Sequence, residues 1–146
     1  DVYRKIFKRN NVKGAVKPFK GVISTLNTLH GQGKILAVAS SRGHESLDGL
    51  VDDFGITNLF TSIIGADDVV NAKPDPEPVN KILSSLSILP KDTVVVGDAP
   101  YDILMGKNAG ASAIGVTYGN SKREELQEAG ADFIIESFAD LLKLPL

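Results

Sequence analysis

Two aspartates stand four positions apart at the end of a short apolar run, where their carboxylates suit a hard cation. Residues 93–96 are typical of a buried strand, and Gly97 then leads to Asp98 and, one helical turn later, to Asp102. Ligands of open parallel sheets bind at the carboxyl ends of the strands, which is where this pattern puts both carboxylates. Mg²⁺ prefers oxygen ligands and commonly shares them with phosphate. The stretch therefore predicts a Mg²⁺ site formed by Asp98 and Asp102.

Polar side chains also follow two other predicted strands. Ser40 and Ser41 come directly after the apolar run 35–39, and Lys73 lies in the loop region after a short strand at 63–64. Because parallel strands present their carboxyl ends on one edge, a hydroxyl, an ammonium and a carboxylate are expected to converge there. Such a set suits phosphoryl transfer, since hydroxyls bind phosphate oxygens, an ammonium offsets their charge and a carboxylate holds the metal.

Each of these residues also has a plainer explanation. A pair of serines after a strand is often a helix cap, and a lysine in a proline-rich loop is often a solvated charge. Two aspartates around a turn are commonly a turn former and a first-turn helix acid. The order of the three groups and their shared placement at strand ends favour a site over these separate explanations.

Helices and strands alternate along the chain, which predicts an α/β fold. Apolar residues at helical spacing predict helices, and continuous apolar runs predict strands buried on both faces. The predicted helices lie around 19–29, 47–54, 75–86, 100–109 and 122–129, with a short one through 141–142, and the predicted strands lie at 35–39, 63–64, 93–96, 113–116 and 133–135. This alternation favours a three-layer, Rossmann-like parallel sheet with helices on both faces.

The composition excludes several classes of function. The 146 residues fit one domain, and a net charge of −2 gives no electrostatic argument for a nucleic-acid or membrane partner. The chain has no cysteine, which excludes disulfides, zinc–thiolate sites and cysteine nucleophiles and fits a reducing cytoplasm. No apolar run approaches the roughly 18 residues that span a bilayer. We therefore expect a cytoplasmic protein whose partner is a small molecule.

The motifs, taken as a set, resemble those of the haloacid dehalogenase superfamily of phosphohydrolases. Ser40-Ser41 after a strand, the segment 73–76 and the segment 97–102 are similar to the second, third and fourth motifs of that family. The resemblance covers essentially the whole chain, and the segments 115–119 and 129–132 are similar to its phosphoglycolate phosphatase and pyrophosphatase branch. It implies a Mg²⁺-dependent phosphatase that hydrolyses a small phosphorylated metabolite through an aspartyl-phosphate intermediate. Inorganic pyrophosphatase and sugar-phosphate mutase are the neighbouring alternatives.

The resemblance also implies a role for each matching residue. Asp98 would ligate Mg²⁺ directly, and Asp102 would act as a second carboxylate, through water or by orienting the ligands. Ser40 and the backbone N–H that follows it would bind the transferring phosphate, with Ser41 beside them. Lys73 would pair with the phosphate and with the nucleophile, which lowers the repulsion between two anions.

The first motif of the family, an Asp-x-Asp that supplies the nucleophile and the general acid/base, occurs nowhere in the chain. Residues 1–17 form a basic, mostly helical lead-in, interpreted as the remnant of a helical cap and linker, and 18–146 as the core. We therefore expect a core that lacks its central first strand and most of the cap, and a fragment that is inactive alone. The strand would come from a preceding part of the protein, from a second chain or from re-pairing of the sheet.

Two alternatives from other classes of protein are considered, and the first of them remains open. The chain would be a non-catalytic phosphate- and metal-binding domain if the natural protein lacks the nucleophile. A response-regulator receiver is disfavoured, because its lysine follows the phosphoacceptor aspartate whereas Lys73 precedes Asp98. His30 and His44 are isolated in the sequence, and neither has a partner set that the sequence supports.

Overall fold

The computed structural model describes residues 2–5, 21–119 and 121–146. Within these residues, six parallel strands form one sheet in the order β3-β2-β1-β4-β5-β6. The strands are β1 (Val2–Lys5), β2 (Ile35–Ala39), β3 (Phe60–Ile64), β4 (Thr93–Gly97), β5 (Ser112–Val116) and β6 (Phe133–Ile135). The α-helices are α1 (Val22–Gly31), α2 (His44–Asp53), α3 (Glu77–Leu86), α4 (Pro100–Asn108) and α5 (Arg123–Glu128). The chain ends in a 3₁₀ helix, Phe138–Lys143.

Alternate residues of the central strands pack on opposite sides of the sheet, which produces three layers. Val94 and Val96 of β4 belong to a core shared with α1, α2 and the final 3₁₀ helix. Val95 belongs to a second core with α3 and α4, and Ala113 of β5 packs with residues of α4 and α5. Because successive side chains of a strand point to opposite faces and both faces are covered, β2 and residues 94–96 of β4 are apolar throughout. The predicted three-layer parallel α/β fold is confirmed.

Several predicted boundaries differ from the observed ones by one to three residues, and two of these differences have a local cause. Strand β3 begins at Phe60 rather than at 63, because β3 lies at the edge of the sheet and an exposed Thr61 is tolerated there. Helix α3 begins at Glu77 rather than at 75, with Pro76 at the N-cap position. The Asp75 side chain still satisfies a first-turn donor, since its Oδ1 accepts the Glu77 N–H at 2.9 Å.

The N-terminal strand departs from the sequence-based expectation. Strand β1 lies between β2 and β4, with Lys5 level with Val38 on one side and Val96 on the other. The expected helical lead-in is wrong for these four residues, and the central position expected to be lacking is filled by the chain itself. A strand there pairs the backbone groups that β2 and β4 would otherwise leave unpaired inside the sheet. The rest of the expected cap remnant and linker, residue 1 and residues 6–17, lies outside the described residues.

The sheet order places the predicted site at the carboxyl ends of the strands. The chain runs from β1 outward through β2 to β3 and then crosses to β4 on the other side of β1. Such a reversal of direction opens a crevice at the carboxyl ends of the strands, where ligands of α/β sheets bind. Ser40 follows β2, Lys73 follows β3 and Asp98 follows β4. Among the described residues, no helix combines the length and apolar character that a membrane span requires.

Candidate phosphate and metal site

A buried ion pair joins the loop after β3 to the first turn of α4. The Nζ of Lys73 lies 2.8 Å from Oδ1 of Asp102, and the two side chains are 5% and 0% exposed. The second oxygen, Oδ2, accepts the Ala99 N–H at 3.2 Å. Burial raises the pKa of Asp102, and the charge of Lys73 opposes that shift. The pair therefore holds a carboxylate in a place where, without the ammonium, its charge would be unfavourable.

Asp102 fits against the end of β4 because residue 97 has no side chain. A Cβ built at Gly97 would lie 2.7 Å from both Cγ and Oδ2 of Asp102, far inside van der Waals contact. Glycine in a strand commonly marks a point where another group approaches the backbone closely. The glycine of the 97–102 motif is thus explained by the aspartate that ends the motif.

Oδ1 of Asp98 is buried and, like Nη2 of Arg42, has no hydrogen-bond partner among the described residues. A Cβ at Gly119 would lie 2.8 Å from Cγ of Asp98, so the loop after β5 packs closely on this aspartate. A buried carboxylate oxygen without a donor is costly unless a cation satisfies it. In the described part of the chain no group of three or more His, Cys, Asp or Glu side chains is placed to hold a metal ion. Asp98 therefore fits one position of a Mg²⁺ shell, whose other ligands would come from elsewhere.

Asp102 is placed beside that position and is already engaged. Both of its oxygens accept hydrogen bonds, from Lys73 and from Ala99, and the nearby charge of Asp98 adds to the rise in its pKa. This arrangement suits the expected second carboxylate, which orients the ligands rather than binding the ion by itself. The structure thus places the two aspartates near each other but in different surroundings. Asp102 is hydrogen-bonded through both oxygens, whereas Oδ1 of Asp98 has no partner among the described residues.

The two serines and the lysine line one cavity of about 110 Å³ between the loops after β2 and β3. Ser40 is fixed on both sides, because its N–H donates to Ile64 O at 3.0 Å and its Oγ accepts the Arg42 N–H at 3.1 Å. Apolar residues form much of the remaining wall: Ala39, Ile64, Ala66, Val69, Ala72 and Pro78. Ser40, Ser41 and Lys73 are therefore brought together as the sequence predicted.

Tyr101 is a site residue that the sequence analysis missed. The Nζ of Lys73 lies 5.2 Å from the centroid of the Tyr101 ring, within the range of a cation–π interaction. Its place inside the 97–102 motif is a signal of proximity to the site, but only the packing of α4 against the loop after β3 shows that the ring faces the lysine.

His44 is not isolated, which corrects the expectation drawn from the sequence. Its Nδ1 contacts Oδ2 of Asp68, and its Nε2 lies 3.3 Å from Oδ2 of Asp48. The hydrogen bond to Asp68 is the largest cause of a raised pKa for His44. The i,i+4 spacing to Asp48 is visible in the sequence, whereas the contact with Asp68 depends on the folding of β3 beside β2.

Comparisons with known proteins find relatives along most of the chain. The family described as haloacid dehalogenase-like hydrolase matches residues 1–116. Pyrophosphatase PpaX of Halalkalibacterium halodurans is 36% identical over 129 residues, which are 88% of this chain and 60% of that protein. Phosphoglycolate phosphatase of Salmonella typhimurium is 35% identical over 144 residues, which are 97% of this chain and 57% of that protein. The chain thus spans somewhat under two thirds of the length of these relatives.

Solved structures give the same picture for the fold. A crystal structure of a predicted phosphoglycolate phosphatase from Haemophilus somnus superposes with a TM-score of 0.82 at 31% identity, over 87% of this chain and 56% of that one. A haloacid dehalogenase superfamily hydrolase from Geobacter sulfurreducens superposes with a TM-score of 0.72 at 27% identity, over 85% of this chain and 54% of that one.

Proposed function

The chain belongs to the haloacid dehalogenase-like hydrolase family, and we propose that it is the core of a Mg²⁺-dependent phosphatase acting on a small phosphorylated metabolite. One observation carries the proposal. The buried Lys73–Asp102 pair lies near Asp98, whose buried Oδ1 has no hydrogen-bond partner in the described part of the chain, and Ser40 lies at the same strand ends. A cation-seeking oxygen beside an ammonium and a hydroxyl suits a phosphate and its metal.

In this proposal some of the described residues would bind the phosphate and another would bind the metal. The Ser40 hydroxyl and the Lys73 ammonium would hold oxygens of the transferring phosphate, and Asp102 would keep that ammonium in place through their 2.8 Å contact. Asp98 would hold Mg²⁺, which when bound offsets the charge that develops on the phosphate oxygens. Ser41, exposed at the rim of the same cavity, would contact the phosphate or the group attached to it.

The nucleophile would be an aspartate of the Asp-x-Asp motif, which this chain does not contain. It would attack the phosphorus, expel the alcohol and form an aspartyl-phosphate that water then hydrolyses. The chain alone is therefore expected to bind anions without turning them over. Phosphoglycolate and pyrophosphate are the first substrates to test, since relatives of similar identity carry those names.

The test measures phosphate release from p-nitrophenyl phosphate by a protein that combines this chain with the first motif. We expect release that requires Mg²⁺ and stops in Asp98→Ala. Asp132→Asn is a suitable control, because Asp132 forms a half-exposed ion pair with Lys107 in which neither residue lines the cavity. Activity that persists undiminished in a chelator would contradict the proposal.

A second candidate is a phosphate- and metal-binding domain without catalysis. It is favoured by the presence of Ser40, Lys73 and Asp98 in a chain that has no Asp-x-Asp. Binding of sulfate and Mg²⁺ with no phosphate release, by a protein whose natural upstream sequence lacks that motif, would support this candidate over the enzyme.

A further inference from the structure

We propose that His44 and Asp68 are positioning residues, whose ion pair ties the loop after β2 to the segment leading to Lys73 and thereby sets the affinity of the site for anions. The inference rests on the proposed anion site at Ser40 and Lys73. It concerns neither a metal ligand nor a group that touches the phosphate itself.

The two loops run side by side and are joined by a series of hydrogen bonds. Backbone groups supply the first of these bonds, and the side chains of the 66–68 turn supply the last. The series consists of Ser40 N–H to Ile64 O at 3.0 Å, Ala66 N–H to Arg42 O at 2.8 Å, His44 N–H to Asp67 Oδ1 at 2.7 Å and the His44 ring to Asp68 Oδ2. His44 thus makes the last bonds of this series, four residues after Ser40 along the chain.

Asp68 is held from three directions. Its Oδ2 also accepts the Gly65 N–H at 2.7 Å, and its carbonyl oxygen accepts Nζ of Lys81, from α3, at 2.6 Å. The backbones of Gly65 and His44 also approach closely, because a Cβ added at Gly65 would lie 2.7 Å from Cα of His44. A shift of His44 is therefore expected to be transmitted to Asp68 rather than absorbed between them.

The segment after Asp68 completes the connection to the site. Val69 and Ala72 line the same cavity as Lys73. Between them, the backbone N–H groups of Val70 and Asn71 are bound by the Glu77 carboxylate at 2.8 and 3.0 Å. A short, hydrogen-bonded segment thus separates the His44–Asp68 pair from the lysine.

The charges around His44 make the tie sensitive to pH. Asp68 and Asp67 face it from the 66–68 turn, Asp48 faces it from α2, and Lys81 contacts Asp68 from α3. The hydrogen bond of Asp68 raises the pKa of His44 above its usual 6.5, and the same bond lowers the pKa of Asp68. The stabilising pair is therefore fully present between about pH 3.8 and pH 6.5, and it is lost as the pH rises through the raised pKa of His44 or falls through the lowered pKa of Asp68.

A pH titration followed by NMR tests the tie without any ligand. The chain has two histidines, so His30→Gln assigns the His44 ring signal directly. We expect the backbone amides of 40–43 and 69–73 to shift with the midpoint of His44, and Asp68→Asn to abolish that shared midpoint. Asp132→Asn is the matched control, since the Lys107–Asp132 pair is equally exposed and Asp132 likewise accepts a backbone N–H, from Ala113.

Sulfate binding, measured by calorimetry, tests the consequence for the site. Sulfate stays a dianion across the range in which histidine titrates, so its own charge does not change. Below about pH 6.5 we expect His44→Ala to weaken binding about two- to fivefold, the effect of losing a partly exposed ion pair. His44→Asn, whose amide can still donate to Asp68 but carries no charge, should bind sulfate at every pH as the wild type does above the raised pKa of His44.

The outcomes separate this inference from the proposed function. Unchanged sulfate affinity in His44→Ala, with loop amides that ignore the His44 midpoint, would overturn the inference and leave the proposed function intact. A His44→Asn variant whose sulfate affinity still changes with pH as in the wild type would also overturn it, because the titrating group would then not be His44. No sulfate binding by any variant would contradict the proposed function, and the amide titration alone would then decide whether the tie exists.

Discussion

The ammonium of Lys73 lies 2.8 Å from the carboxylate of Asp102, and neither side chain is more than 5% exposed. The two charges compensate each other where burial has removed most of the water that would solvate them. The pair joins two strand ends that are separated along the chain, so it contributes both to the fold and to the position of the proposed phosphate-binding lysine.

Removing one member of this pair is expected to cost far more stability than removing an exposed pair. Lys73→Met leaves Asp102 buried and uncompensated, which should lower the free energy of unfolding by about 3–5 kcal/mol. Urea unfolding followed by circular dichroism measures the loss. Lys107→Met, which breaks a half-exposed ion pair with Asp132, should cost no more than about 1 kcal/mol. Equal losses in the two variants would show that the buried pair has no special role.

Replacement of Asp98 should have opposite effects with and without Mg²⁺. Asp98→Asn removes the charge of a partly buried carboxylate whose Oδ1 has no partner among the described residues, so the metal-free variant should be more stable than the wild type, by about 1 kcal/mol. Mg²⁺ should raise the melting temperature of the wild type but not that of the variant, because ligands stabilise the state that binds them. Scanning calorimetry in Mg²⁺ and in chelator measures both. An equal Mg²⁺ response in the two proteins would remove Asp98 from the metal site.

Alanine at position 97 should disturb Asp102. The added Cβ would lie 2.7 Å from Cγ of Asp102, so Gly97→Ala is expected to lower the free energy of unfolding by about 1–3 kcal/mol. Gly49→Ala is the control, since Gly49 lies on α2 with nothing within 4 Å of its added Cβ. That control should be more stable than the wild type by about 0.5–1 kcal/mol, because alanine favours helix. Unfolding in urea shows whether each variant is less or more stable than the wild type. A Gly97→Ala variant that is more stable would contradict the close packing of Asp102.

The ring of Tyr101 should matter more than its hydroxyl. Tyr101→Phe keeps the aromatic face that lies 5.2 Å from Nζ of Lys73, whereas Tyr101→Leu removes it. We expect the leucine variant to lose about 0.5–2 kcal/mol of stability relative to the phenylalanine variant. Sulfate affinity, measured on both variants, should fall only in the leucine variant. The reverse order would assign the effect to the hydroxyl.

Glu77 should make the protein sensitive to acid. Two backbone N–H groups, of Val70 and Asn71, bind its carboxylate and lower its pKa below the usual 4.5. Its contribution to stability is therefore present above that value and is lost as the pH falls through the lowered pKa. In Glu77→Gln, the melting temperature should therefore depend less on pH in this acid range. Glu45→Gln, an exposed acid in the first turn of α2, is the control, and a Glu77→Gln curve parallel to that of the wild type would refute the assignment.

The elements that depend on local pattern were predictable from the sequence. The apolar run at 35–39 and the run from 93 formed buried parallel strands, because residues whose side chains all avoid water fit only positions covered on both faces. The spacing within 97–102 likewise predicted that Asp98 and Asp102 would lie together. A strand end followed by one helical turn leaves few possible relative positions for the two carboxylates. Resemblance to a known family supplied the chemistry of the set.

The tertiary structure alone decided the contacts that join distant segments. Placement of Val2–Lys5 in the centre of the sheet follows from the backbone groups of β2 and β4, which no local pattern reveals. The pairing of Asp102 with Lys73 and of His44 with Asp68 depends on which strand ends become neighbours and on how much water is excluded there. Local sequence determines the type of an element, whereas the partners of a buried charge are determined only when the elements have packed.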